Sequence, residues 1–138
     1  MAIRTLVAAG GGNRGRVVGL LEATGDYTVV AEAEDGVEAV QLAERHQPDL
    51  VVLEAGLPEL GGIEATAPIR SRAPASTIVV LTGGAGGRLA VRAGADTSIP
   101  IHSPDSAIAQ AVAEALPTEL RGHGDGHARL AGRRYRYG

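Results

Sequence analysis

Five short apolar runs, each followed by a stretch whose apolar residues recur every three or four positions, occupy residues 1–116. Strands and helices alternating in this way bury their apolar faces only when the strands lie parallel and helices cover both sides of the sheet. The runs at 3–8, 27–33, 49–54, 77–82 and, more weakly, 97–101 are rich in Val, Ile or Leu and bounded by Gly, Pro or Asp, which reads as five strands. The spacing predicts helices over 14–24, 36–46, 62–72, 86–93 and 104–116. In the second of these, Val37, Val40 and Leu42 form the expected core stripe, with Glu38, Gln41 and Arg45 outward. Asp35 and Ser103 are placed to cap the second and fifth helices. Right-handed crossovers then give a compact, doubly wound α/β sandwich of (βα)5 form.

The core of that sandwich has to be Val, Leu, Ile and Ala, because the 138-residue chain contains no Phe and no Trp. It also contains no Lys and no Cys, so all 13 basic residues are Arg. Lysine mechanisms, disulfides, thiol nucleophiles and cysteine zinc sites are thereby excluded. Tyr27 is the one Tyr before the extreme C-terminus, so the body lacks stacking platforms for single-stranded nucleic acid. No apolar run approaches the ~18 residues of a membrane span and no signal-peptide stretch opens the chain, so a soluble, cytoplasmic domain is expected. Charge is divided unevenly: eight Arg face fourteen acids up to Leu116, and five Arg face two acids after it. Residues 117–138, where Gly, His and Arg replace the apolar periodicity, read as a flexible basic tail. Within it, Arg133, Arg134 and Arg136 are candidate phosphate-backbone contacts.

Ligands of an open parallel sheet collect at the carboxyl ends of its strands, and the segments there carry a resemblance. PDLVVLEAGLPELGG at 48–62 resembles the third strand and following loop of the receiver domains of bacterial response regulators, the CheY-like family, with Leu57 and Pro58 at its Leu-Pro position. VVLTGGAG at 79–86 is similar to that family's fourth strand, ending in the switch hydroxyl, here Thr82. RAGADTSIP at 92–100 resembles its Ala-Gly-Ala-Asp entry to the fifth strand. AEAEDGVEAV at 31–40 looks closest to the NarL/FixJ branch, which carries a C-terminal helix-turn-helix. The resemblance covers residues 1 to about 116 and implies a flavodoxin-like receiver fold with strand order 2-1-3-4-5. It further implies a homodimerising regulatory module of a transcription regulator, reaching DNA only through a further C-terminal domain.

Members of the family transfer a phosphoryl group to an Asp with the help of Mg2+ and a Lys, and this chain departs from that pattern. The phosphoacceptor position is Glu54, the acidic pair is Ala9 and Gly10, the lysine position is Ile101 and the aromatic switch position is Ser98. Phosphoryl transfer needs a metal and a positive clamp to neutralise developing charge, so a pseudo-receiver without enzymatic activity or cofactor is expected. Glu54 then either imitates a phosphorylated acceptor or accepts hydrogen bonds from nearby backbone N–H groups.

Gly10, Gly12 and Gly15 also form G-x-G-x-x-G after a strand, the dinucleotide-binding pattern, with Glu32 or Glu34 spaced to hold a ribose. A small-molecule effector in the vacated pocket, against the loop of Gly10, Gly12, Asn13, Arg14 and Gly15, is therefore an alternative, and a Rossmann-like domain a more distant one. Arg14 and Arg16 read as anion holders or as a solvated helix face. His123, Asp125 and His127 have metal-donor atoms but no fourth ligand, so no metal site is assigned. His46 and His102 lack a partner nucleophile.

Overall fold

The computed structural model describes residues 2–121. The elements alternate without exception: β1 (Ile3–Ala8), α1 (Gly11–Glu22), β2 (Tyr27–Ala33), α2 (Gly36–His46), β3 (Leu50–Glu54), α3 (Gly62–Arg72), β4 (Thr77–Thr82), α4 (Gly87–Ala93), β5 (Thr97–Pro100) and α5 (Asp105–Ala115). All strand pairings are parallel, and the sheet order is β2-β1-β3-β4-β5. This is the flavodoxin-like receiver architecture that the motifs imply.

Alternation along the strands divides the apolar side chains between two layers. Leu6, Val51, Leu53, Ile78 and Val80 pack beneath α2, α3 and α4 through Ala39, Val40, Ala65, Ile69 and Ala90. Val7, Leu50, Val52, Val79 and Leu81 pack beneath α1 and α5 through Val17, Leu21, Ile108 and Val112. The β3 and β4 strands are buried on both faces, which is why they read as continuous Val, Ile and Leu.

Three local expectations are corrected. The first helix begins at Gly11, three residues before the expected start, with Gly10 as its N-cap, so Asn13 and Arg14 lie in its first turns. Val37 is 46% exposed, and the buried positions of α2 are Gly36, Ala39, Val40 and Ala43. The reason is close packing: a Cβ on Gly36 would overlap the Leu60 carbonyl, so α2 seats its glycine inward and turns Val37 to the flank. Ser103 does not cap α5, whose N-cap is Pro104 without a side-chain bond. The Ser103 N–H instead donates to the Pro100 carbonyl in a turn. Asp35 does cap α2, accepting from the Glu38 N–H at 2.7 Å.

The packed structure continues past Leu116. Thr118–Leu120 forms a single 3-10 turn, Leu120 packs on the α1/α5 layer, and Arg121 donates to the carbonyls of Glu114 and Leu116. The remaining tail residues, including Arg133, Arg134, Arg136, His123, Asp125 and His127, lie outside the described residues.

Candidate functional site at the carboxyl edge of the sheet

Parallel pairing brings the ends of β1, β3, β4 and β5 to one edge, with Ala8 beside Leu53, Glu54 beside Leu81 and Thr82 beside Pro100. Glu54 stands at the centre of this edge. Its Oε1 accepts the Gly10 N–H at 2.8 Å, and its Oε2 accepts the Asn13 amide at 3.0 Å. Gly10 is the N-cap of α1, so the carboxylate lies at the positive end of a helix, where a negative charge is favoured. A Cβ on Gly10 would lie 3.6 Å from Oε1, in ordinary van der Waals contact with the carboxylate.

The rest of this edge is occupied by the chain itself. Arg14 donates to the Ala9 carbonyl at 3.0 Å and pairs with Glu32 at 3.1 Å. Arg16 reaches across from α1 to the β5–α5 loop, donating to the carbonyls of Ile101 and Ser103 at 2.6 Å each and to Asp105 at 2.7 Å. Both Arg side chains are therefore engaged with protein acceptors, and Glu32 is committed to Arg14. Ile101 is 7% exposed, with its side chain in the α1/α5 apolar layer. Thr82 is 4% exposed at the end of β4, and its carbonyl accepts the Ile101 N–H at 2.7 Å. The Ser98 hydroxyl contacts the Gly87 carbonyl at 3.4 Å, close enough that a Cβ on Gly87 would meet it at 2.8 Å.

A divalent cation with hard oxygen preference does not fit these residues. Ala9 and Gly10 bring no carboxylate, the one carboxylate present already accepts a bond on each oxygen, and the Arg14 guanidinium stands against the Ala9 carbonyl. Among the described residues no group of three His, Asp or Glu side chains could hold a metal ion.

The geometry is that of one fold family, and the response regulator receiver domain model matches residues 12–112. The chain belongs to the receiver domain family. A LuxR-family two-component response regulator from Aurantimonas sp. SI85-9A1 is 31% identical, with a TM-score of 0.78 over 98% of this chain and 99% of that one. The NarL signal receiver domain of Mycobacterium tuberculosis is 27% identical, with a TM-score of 0.76 over 82% of this chain and 94% of that one. Among curated proteins, the transcriptional regulatory protein PdtaR of Mycobacterium tuberculosis is 52% identical over 56 residues, 41% of this receiver and 27% of the relative. A protein-glutamate methylesterase/protein-glutamine glutaminase of Myxococcus xanthus is 42% identical over 81 residues, 58% of this receiver and 23% of the relative. The receiver thus spans about a quarter of the length of these two relatives.

Glu54, Thr82, Ala9, Gly10 and Ile101 lie at or just past the strand ends on this edge, whereas Ser98 lies within β5, paired with Val80 and facing Gly87. Sequence reasoning missed the Asn13 and Arg16 contacts. Asn13 was legible as a polar residue in a glycine loop, whereas the Arg16 bonds join positions 85 and 87 residues apart and carry no local signal. The Ala-Gly-Ala-Asp segment was legible, but not the bonds of its Asp96, which accepts from the Ile78 N–H and from Arg70, both at 2.8 Å, and so fixes the entry to β5.

Proposed function

We propose that this receiver is a phosphorylation-independent regulatory module, of the NarL/FixJ type, in a bacterial transcription regulator. The observation that carries the reading is the Glu54 carboxylate at the phosphoacceptor position, held by the Gly10 N–H and the Asn13 amide at the N-terminal end of α1. An acceptor so engaged, without an acidic pair or a lysine, lacks the metal and clamp that phosphoryl transfer requires. Glu54 acts here as an internal tie between β3 and α1 rather than as a nucleophile, and the domain works as a non-enzymatic scaffold. The same carboxylate takes the first N–H of the glycine loop, the group a dinucleotide pyrophosphate would need.

Signalling then runs through association. Leu89 and Val91 are 57% and 49% exposed on α4, and Val91 borders a hollow shared with Gly87 and Ser98. The exposed Val91 beside that hollow supports self-association through the α4–β5 face. The DNA contact belongs to a further domain joined through the C-terminal segment.

The test is the intact mass of the purified chain before and after incubation with Mg2+ and acetyl phosphate. The mass is expected to stay unchanged. An adduct of about 80 mass units would overturn the reading, because it would mean that the site transfers phosphate without the usual metal pair and clamp.

A further inference from the structure

Three features lie outside the Glu54 site: the α4–β5 face already assigned to self-association, a charged hollow beneath the sheet, and a groove between α2 and α3. The hollow beneath the sheet is internally satisfied, since Arg70 donates to the carbonyls of Gly94 and Ser76 and to Asp96. The groove is different. Val37, Val40, Leu60 and Pro68 form its apolar floor, with Gln41 and Arg72 at its sides. Its upper end opens into an acidic rim of Glu34, Asp35, Glu38 and Glu59, again around Val37. An apolar floor with an acidic rim fits a segment that alternates aromatic and cationic side chains.

The chain carries such a segment. Arg134, Tyr135, Arg136 and Tyr137 alternate, so that in extended form both Tyr fall on one side and both Arg on the other. The packed structure also delivers the chain to the right place. Pro117, Glu119 and Leu120 line the same hollow as Pro74 and Ala75, which follow α3 just past Arg72 at the lower end of the groove. From Arg121 to Arg134 the chain can extend about 40 Å, whereas the 11-residue α2 is about 16 Å long. Reach is ample, and tethering supplies a millimolar-range effective concentration.

We propose that residues 134–137 dock in the α2–α3 groove of their own chain, with Tyr135 and Tyr137 on the Val37 floor and Arg134 and Arg136 against the acidic rim. The inference stands apart from how Glu54 works and survives if that reading fails.

The absence of Cys makes a site-specific test clean. A nitroxide attached at Gly138→Cys in the full chain is expected to broaden the amide resonances of Val37, Gln41 and Leu60 relative to the reduced label. The broadening should not depend on protein concentration. It should fade in about 1 M salt, where charges are screened within ~3 Å, and vanish in Arg134→Glu/Arg136→Glu. Broadening confined to the end of α5, or unchanged by the charge reversal, overturns the proposal. So does broadening that passes, in an equimolar mixture, from spin-labelled chains to isotope-labelled chains without a nitroxide, which would make a second copy the occupant. Salt-sensitive retention on duplex DNA with no broadening at the groove also overturns it and assigns the segment to phosphate contacts.

Discussion

Glu54 is tied to α1 by two hydrogen bonds to one carboxylate, and hydrogen bonds to a charged group contribute about 1.5–3 kcal/mol each where solvent is excluded. The side chain is partly exposed, so Glu54→Ala is expected to lower unfolding free energy by about 1–3 kcal/mol in urea denaturation. Glu54→Gln should cost less, since its amide oxygen still accepts from Gly10. If Glu54→Ala leaves stability unchanged, the tie is structurally idle. A second residue-scale prediction concerns Tyr27, whose burial, with Asp26 beside it, raises the phenol above its ordinary pKa of 10.0. The folded state then holds its proton more tightly than the unfolded state. The resulting stability is fully present below pH 10.0 and is lost as pH rises through the folded pKa. Lys and Cys are absent, so few other side chains titrate there, and Tyr27→Phe should flatten the alkaline fall of Tm. An alkaline fall identical in Tyr27→Phe would contradict this.

At the scale of elements, three strands and two helices were legible to the residue: β1, β2 and β4, and α2 and α3. Each has clear punctuation, such as Asp35 before α2 and the close approach of Gly62 to the Glu54 carbonyl at the start of α3. The α3 helix runs unbroken across Pro68, which sits inside it. The start of α1 was misread because Gly11 and Gly12 have poor helix propensity, yet they take helical geometry where Gly10 is anchored by Glu54. Arg16 makes the matching argument on the other side. Arg16→Ala removes two bonds to carbonyls of the β5–α5 loop and the bridge to Asp105, a partly exposed set worth about 1–2 kcal/mol. Amide exchange should accelerate across residues 101–106, while β1 and β3 remain protected. Uniform acceleration would indicate that Arg16 supports the whole fold rather than this loop.

For the whole molecule, no described helix is long and apolar enough to cross a membrane, and the apolar surface left exposed lies on helices. Leu89 and Val91 on α4 and Val37 on α2 are the exposed large hydrophobics among the described residues. If α4–β5 mediates self-association, Val91→Glu should shift the chain toward monomer in sedimentation equilibrium at least tenfold in Kd, about 1.4 kcal/mol, with unchanged unfolding free energy. A monomeric parent chain would remove the premise. Val37→Glu should leave self-association intact, because its groove is a different face.

The sequence by itself determined the class of this protein: strand and helix periodicities required a parallel sheet covered on both faces, and the LEAGLP, LTGG and AGAD segments pointed to a receiver. It also shows by residue identity that Ala9, Gly10 and Ile101 bring neither a carboxylate nor an amine. Only the tertiary structure decided which partners the side chains at this edge take. The bonds of Glu54 to Gly10 and Asn13 span 44 and 41 residues, and those of Arg16 reach residues 85 to 89 positions away. Long side chains choose their partners by distance and desolvation once the backbone is in place, and neither quantity is written in local spacing.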